Sequence, residues 1–285
     1  MGGSGAARRH TIMRTSLSYL TPLFCLTPVL ALSLWAADPN QPVIVSAASS
    51  QVGIAPDSLA TIYGPNLTTQ TVAAGSPPWP TTLGDMPGVT LIDSAGKSWP
   101  LPLIFVSPSQ MNVYIPAGVA TGPAQIEFPV TGLPPGFAAA LRIVPTTLTT
   151  VAPAVFTADG TGVGVLAAIS LQISPVGQFW APVFTCTAPG SCTPAPFGLG
   201  IDTPIYLVIF GTRIRGWASV GTALNTTAQI GNLSLPASYA GPQPTIPGLD
   251  QINVPVPLNL RGAGLINVSV TADGVTSNVG QIDIE

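Results

Sequence analysis

The chain has 285 residues, of which only 7% are charged, while Gly contributes 30 and Pro 32. This composition is rich in turn formers and poor in helix formers, so it argues against a helical domain. Beyond the first fourteen residues, five basic residues stand against eleven acidic ones, a net charge of −6. We therefore expect neither nucleic acid nor an anionic membrane surface as a partner, because proteins bind both through clustered Lys and Arg.

The first 37 residues predict an export signal. Three arginines lie within the first fourteen positions, residues 17–34 form an apolar run, and the small pair Ala36-Ala37 follows it. This order is typical of a cleaved signal peptide, with Met13 as an alternative start. The other interpretation is an uncleaved N-terminal anchor, which would then be the only membrane contact.

One pattern occurs twice in the rest of the chain. An Ile-aromatic-Gly triplet is followed, some forty residues later, by a Gln-x-Asn-Val-x-x-Pro segment. The copies are Ile62-Tyr63-Gly64 with Gln110, Asn112, Val113 and Pro116, and Ile209-Phe210-Gly211 with Gln251, Asn253, Val254 and Pro257. A tandem duplication of one module is the simplest interpretation.

The apolar periodicity is that of strands rather than helices. Alternating or wholly apolar segments predict strands at Ser58–Tyr63, Gln110–Ile115, 124–128, 205–210 and 265–270. Dipeptides typical of turns separate them: Pro87-Gly88, Gly122-Pro123, Pro135-Gly136, Asp159-Gly160, Gly241-Pro242 and Asp273-Gly274. We therefore expect two antiparallel sandwiches, at residues 38–148 and 149–285, with a linker near Pro145–Pro153.

The repeated strand carries an amide pair in each copy. Gln110 and Asn112 lie on one face of a strand, and Gln251 and Asn253 lie on the corresponding face of the other. The structural interpretation is that these amides hydrogen-bond to loop backbone at a sandwich edge. The functional interpretation is that they bind sugar hydroxyls beside an aromatic ring.

Four tryptophans are candidates for such an aromatic platform. They are Trp79, Trp99, Trp180 and Trp217. Trp79 and Trp99 are the main candidates because they lie in loops flanked by proline, where a ring can be exposed.

Two cysteines follow the leader, and they predict a disulfide. Cys186 and Cys192 enclose the turn dipeptide Pro189-Gly190, which can bring the two sulfur atoms together. A thiolate metal site is the alternative, but two sulfur atoms without a nearby histidine provide too few ligands.

The side chains needed for catalysis are scarce. The single histidine, His10, lies in the leader, so a Ser-His-Asp triad is excluded and the usual general base is missing. An enzyme that uses a pair of facing carboxylates is the catalytic alternative that the sequence leaves open. We expect neither an enzyme nor a cofactor, and leave weak calcium binding at the domain junction as an alternative.

The remaining charges are predicted to be structural. The aspartates are interpreted as turn residues, namely Asp57, Asp85, Asp159, Asp202, Asp250 and Asp273. Arg213 and Arg215 flank Ile214 on a predicted strand and are interpreted as a solvated face, with an acidic partner as the alternative.

Several segments resemble one known family. They are residues 55–67, 106–113, 152–157 and 247–254, together with the Cys186–Cys192 loop and residues 209–215. These segments look like the signature of the Solibacter-type uncharacterised C-terminal domain family of exported acidobacterial proteins, and the resemblance covers residues 42–285. Residues 264–278 are also similar to the last hairpin of IPT/TIG domains, an immunoglobulin-like fold. The family brings no established activity or catalytic residue.

Together the pattern and the resemblance predict an all-β protein of two tandem immunoglobulin-like (IPT/TIG-like) sandwiches behind a signal peptide. We expect an exported, non-catalytic binding, adhesion or structural module at the cell surface or in the periplasm. Its expected partner is a surface protein or a polysaccharide, with self-association as a further option. A carbohydrate-binding module that uses the aromatic and amide residues is the alternative.

Overall fold

The computed structural model describes residues 41–131, 140–201, 203–215 and 225–285, and the structural statements below concern these residues. Regular structure in these ranges is almost entirely antiparallel β-sheet, and their helical content is one 3-10 turn at Leu258–Leu260. The prediction of an all-β fold is confirmed. The predictions for the leader lie outside the described residues.

The first nine strands form two sheets. They are β1 Val43–Ser46, β2 Ser58–Tyr63, β3 Val72–Ala73, β4 Thr90–Ile92, β5 Ser98–Pro100, β6 Leu103–Val106, β7 Gln110–Ile115, β8 Gly122–Pro129 and β9 Leu141–Leu148. One sheet has the order β1-β2-β7-β6-β3 and the other β5-β4-β8-β9. These orders correspond to the A-B-E-D and C′-C-F-G sheets of an immunoglobulin-like sandwich.

The remaining strands repeat this topology. They are β10 Ala154–Val155, β11 Ala168–Ser174, β12 Gly177–Pro182, β13 Phe184–Ala188, β14 Ser191–Pro194, β15 Ile205–Thr212, β16 Thr226–Ile230, β17 Leu233–Pro236, β18 Tyr239–Pro242, β19 Asp250–Val256, β20 Gly264–Ala272, β21 Val275–Thr276 and β22 Gly280–Ile284. Strands β11-β15-β19-β18 again follow the order A-B-E-D, and β17-β16-β20-β22 follow C′-C-F-G. Strand β12 extends the first of these sheets beyond β11, and β13 and β14 form a separate hairpin.

The two copies of the sequence pattern occupy equivalent places in the two sandwiches. Ile62 is paired with Met111 across β2 and β7, and Ile209 is paired with Ile252 across β15 and β19. All four side chains are fully buried. The duplicated segments therefore form the central B–E strand pair of each sandwich in the same register.

The glycine that ends each triplet is explained by close packing. A Cβ added at Gly64 would lie 3.0 Å from the Cα atom of Pro42, and one added at Gly211 would lie 2.6 Å from the carbonyl oxygen of Ala154. In both copies the segment that enters the sandwich is paired alongside the end of strand B there. A side chain would push this segment away.

The apolar core is divided into two clusters. One contains buried side chains between Ile44 and Leu148, and the other contains side chains between Val151 and Ile284. By their contacts, the described residues nevertheless belong to one compact unit. The predicted domain boundary at residues 148 and 149 stays a prediction.

Some local predictions were wrong. Gly122-Pro123 and Gly241-Pro242 were expected in turns, but they lie in β8 and β18. Both prolines are at strand ends, where fewer amides are needed for sheet pairing. Pro145 also lies within β9, so the predicted linker begins later than expected.

Candidate functional site

The two cysteines form the predicted disulfide. Cys186 and Cys192 lie opposite each other on β13 and β14, with an S–S distance of 2.01 Å. The hairpin is mostly exposed, so the bond constrains a surface loop rather than the core.

The amide pairs have the same geometry in both sandwiches. Gln110 Nε2 donates to Asn112 Oδ1 at 2.8 Å, and Gln251 Nε2 donates to Asn253 Oδ1 at 2.9 Å. All four side chains are half-buried. The expectation that they bind loop backbone was wrong, because each glutamine donates instead to the asparagine two residues further along its strand.

Trp79 is packed against the rim of the first sandwich. Its ring centroid lies 6.3 Å from that of Tyr114 in a tilted arrangement, and its Nε1 donates to the carbonyl oxygen of Gly75. The ring is half-buried. Trp79 is therefore held by its own loop.

Trp99 also makes several contacts within the first sandwich. Its Nε1 donates to Asp93 Oδ2 at 2.8 Å, Lys97 Nζ lies 3.5 Å from the ring centroid, and the backbone of Gly118 lies against the ring edge. The amide of Ala120 and the indole N–H lower the pKa of Asp93 to about 2. The structure therefore gives Trp99 clear intramolecular contacts.

Trp180 is the tryptophan that the fold exposes most among those described. It lies on β12 and is 70% exposed, and its neighbour Phe179 is 56% exposed. Val176, in the turn before β12, is also exposed. We call the β11–β12 pair, residues 168–182, the aromatic hairpin; Trp217 lies outside the described residues.

A charged cluster joins the two sandwiches. Arg215 Nη2 lies 3.2 Å from Asp57 Oδ2, and Arg215 Nε lies 2.5 Å from Asp250 Oδ1, at angles outside those of a hydrogen bond. Tyr114 donates to Asp57, and the amide of Ile214 donates to Asp250. The guanidinium of one sandwich is thereby fixed to a carboxylate of the other.

Burial governs the ionisation of this cluster. Desolvation raises the pKa of Asp250 to about 7, against the lowering effect of Arg215 and of two backbone amides. Desolvation and the bond to Asp57 also raise the pKa of Tyr114. Asp250 is the first residue of a strand and fully buried, so its interpretation as a turn residue was wrong.

Arg213 is buried beside the same junction. Its Nε donates to the carbonyl oxygen of Ala152 at 2.7 Å, and its Nη1 has no partner among the described residues. Burial lowers the pKa of Arg213 to about 10. Arg213 and Arg215 therefore do not form the predicted solvated face. The scarcity of charge in the chain was the one sequence signal that could have suggested that they are buried.

A cleft of about 920 Å³ lies next to the cluster. Its described lining consists mainly of small apolar residues and proline, with Asp57 and Arg215 as its charged members: Pro56, Asp57, residues 117–121, Thr150, Arg215 and Pro242. No aromatic side chain belongs to this described lining, so the cleft differs chemically from the aromatic hairpin.

The described residues offer little for metal chemistry. Among them, no group of three or more His, Cys, Asp or Glu side chains is placed to hold a metal ion. Within the same ranges, no helix is long and apolar enough to cross a membrane.

Comparison with known proteins gives fold likeness only. No family model and no curated protein matches the sequence. Among solved structures, the chain is similar to the SGBP-B protein of the Bacteroides ovatus mixed-linkage glucan utilization locus, in complex with a mixed-linkage heptasaccharide. The identity is 11% and the TM-score 0.34, over 86% of this chain and 45% of that one.

Two further solved structures are similar over 86% of this chain. A pair of titin Ig tandem domains has 10% identity and a TM-score of 0.22 over 96% of its length. A tetra-tandem repeat from the extending region of a large adhesion protein has 13% identity and a TM-score of 0.23 over 74% of its length. The class of protein, a pair of immunoglobulin-like sandwiches, follows from the strand order described above.

Proposed function

We propose that this protein is an exported, non-catalytic binding or adhesion module that attaches to a partner at the cell surface or outside the cell. The observation that carries the proposal is one face of the aromatic hairpin, where Ile173 and Trp180 are exposed together, with exposed Val176 in the turn beside them. Grouped apolar side chains on the surface of a soluble protein commonly mark an interaction site.

The position of β12 supports this proposal. Among the described residues of the first sandwich no strand corresponds to β12, since the sheet there ends at β1. Strand β12 is therefore an addition to the A-B-E-D order that the two sandwiches share. All six residues of β12 are exposed and none is charged, so this sheet edge lacks the charges with which proteins usually protect such edges.

The proposal includes export because residues 1–37 are predicted to be a leader. Membership of the Solibacter-type family is proposed on the segments quoted above. A surface protein and a polysaccharide are the partner classes that an uncharged aromatic surface suits.

Co-sedimentation of the purified protein with the envelope of the cells that produce it tests the proposal. We expect the wild type to bind, and the double variant Ile173→Ser, Trp180→Ser to bind at least about tenfold more weakly, as when a central aromatic anchor is truncated. The matched control is Leu141→Ser, Ile143→Ser, which removes two exposed apolar side chains from β9, an edge strand of the first sandwich.

Two results would contradict the proposal. One is a wild type that stays in the supernatant, and the other is an equal loss in the hairpin and control variants. Light scattering on each purified protein without envelope detects self-association, because self-association raises the measured mass. Binding to the envelope is thereby distinguished from self-association.

A further inference from the structure

Cross-strand pairing places Trp180 in a row of side chains that crosses four strands. Trp180 is paired with Leu171, Leu171 with Tyr206, and Tyr206 with Pro255. Residues paired in this way project from the same face of a sheet. We call Trp180, Leu171, Tyr206 and Pro255 the aromatic row.

The aromatic row lies on the outer face of its sheet. The core face of β15 carries Ile205, Leu207 and Ile209, which belong to the second core cluster. Tyr206 alternates with them and therefore projects outward. Trp180 and Pro255 are exposed at the two ends of the row, and Leu171 and Tyr206 are half-buried between them.

The row has a regular spacing. Neighbouring strands in a sheet are about 4.8 Å apart, so the backbones of Trp180 and Tyr206, two strands apart, are separated by about 10 Å. In an extended β-linked polysaccharide, alternate sugars present the same face to one side, at a comparable repeat. Two rings at this separation can therefore contact every second sugar of one chain.

The chemistry of the face restricts the partner further. No charged residue occurs among the outward-facing residues of the strands in this sheet, which are β10, β11, β12, β15, β18 and β19. A charged partner would lose hydration here without gaining an opposite charge. The net charge of −6 beyond the leader also disfavours anionic polymers.

The same face supplies neutral hydrogen-bonding groups. The amide pair of Gln251 and Asn253 lies on β19, and Asn253 is two residues from Pro255 on the same side of the strand. Val208, which is paired with Asn253 in the adjoining row, is buried without belonging to the core cluster, so its own side chain offers no contact surface.

We infer that the aromatic row binds a neutral, β-linked polysaccharide, with Trp180 and Tyr206 stacking on alternate sugars and nearby amides contacting hydroxyls. The axial C–H groups of such sugars form apolar patches that pack against aromatic rings, and their hydroxyls are uncharged donors and acceptors. This inference rests on the proposed function and names the chemistry of its partner.

Affinity electrophoresis with defined polysaccharides tests the inference. The purified protein is run through gels containing hydroxyethyl cellulose or glucomannan, which are neutral and β-linked, or polygalacturonate, which is anionic. We expect retardation in the two neutral gels and none with polygalacturonate. Trp180→Ala is expected to weaken binding about tenfold or more, as for an aromatic anchor, and Tyr206→Ala to act in the same direction.

Phe179→Ala is the matched control. Phe179 is adjacent to Trp180 and comparably exposed, but it projects from the opposite face of β12, so its truncation should leave binding unchanged. Because Trp180 is exposed, its truncation is not expected to unfold the protein, and thermal unfolding checks this for every variant.

The other outcomes contradict the binding face, the class of polysaccharide or the polysaccharide itself. Equal losses in Phe179→Ala and Trp180→Ala refute binding by the outer face, and retardation by polygalacturonate refutes the neutral class. Envelope binding without retardation in neutral gels refutes the polysaccharide and leaves a protein partner for the proposed function. Absence of both kinds of binding refutes the inference and the proposed function together.

Discussion

Asp250 should make the protein less stable as the pH rises from about 4 to about 7. Its carboxyl is fully buried, and desolvation raises its pKa from 3.8 to about 7 in spite of the nearby Arg215. In the unfolded chain the group has its ordinary pKa. Between the two pKa values the native protein holds a proton that the unfolded chain has released, so the free energy of unfolding falls with pH.

The size of the effect follows from the shift. Each pH unit within the window lowers the free energy of unfolding by about 1.4 kcal/mol, so the whole window corresponds to about 4 kcal/mol. The contribution is fully present below pH 3.8 and is lost once the pH has passed about 7. Asp57, Arg215 and Tyr114 are the ionisable groups of the same cluster.

Urea denaturation between pH 4 and pH 8 measures this effect in the wild type and in Asp250→Asn. Asparagine can still accept the hydrogen bond from the amide of Ile214 but cannot titrate, so subtracting the two curves isolates Asp250. We expect the stability of the wild type relative to the variant to decrease by about 4 kcal/mol across the window. A flat difference, or one that grows with pH, would refute the reasoning by showing that Arg215 keeps the carboxylate ionised.

Three further predictions concern the junction and the disulfide. Thr212→Val removes a hydroxyl that accepts from an amide of the first sandwich and donates to the carbonyl of Gly248, so urea denaturation should show a loss of about 1–3 kcal/mol, with Thr212→Ser close to the wild type. Gly248→Ala places a Cβ atom 2.9 Å from an aromatic ring of the first sandwich at φ +77°, whereas Gly96→Ala has φ +75° and no neighbour within 4 Å. We expect Gly248→Ala to lower the melting temperature clearly more than Gly96→Ala, because Gly96→Ala introduces only backbone strain of about 1–2 kcal/mol. Equal shifts would contradict close packing at the junction. Replacing both Cys186 and Cys192 by Ser should lower the free energy of unfolding by about 2 kcal/mol or less, because the closed loop is short, and complete unfolding would contradict its peripheral place.

Local sequence patterns predicted the central strands accurately. Strands β2 and β7 begin and end at the predicted residues Ser58–Tyr63 and Gln110–Ile115. In β7 the apolar residues Met111, Val113 and Ile115 are buried and alternate with half-buried neighbours, and this one-sided pattern is encoded within the strand itself. The disulfide was likewise predictable, since both cysteines lie within one short loop.

The charged cluster could not be predicted in this way. Arg215, Asp57 and Asp250 are far apart in sequence, and the pattern around Arg215 is that of an ordinary solvated strand. What buries its guanidinium is the packing of a second sandwich against the first. The fate of these charges depends on contacts that no local window contains.

The sequence by itself was enough to predict the all-β fold and the duplication, because the signals for strands and turns act over a few residues. The export leader is a prediction from the sequence alone. The sequence offered four tryptophans and favoured Trp79 and Trp99 as the aromatic platform. Tertiary structure decided that Trp79 and Trp99 are held by neighbouring loops, while Trp180 stands on an added edge strand in line with Tyr206. The physical reason is that the exposure of a side chain is set by segments distant in sequence, which only the folded chain brings together.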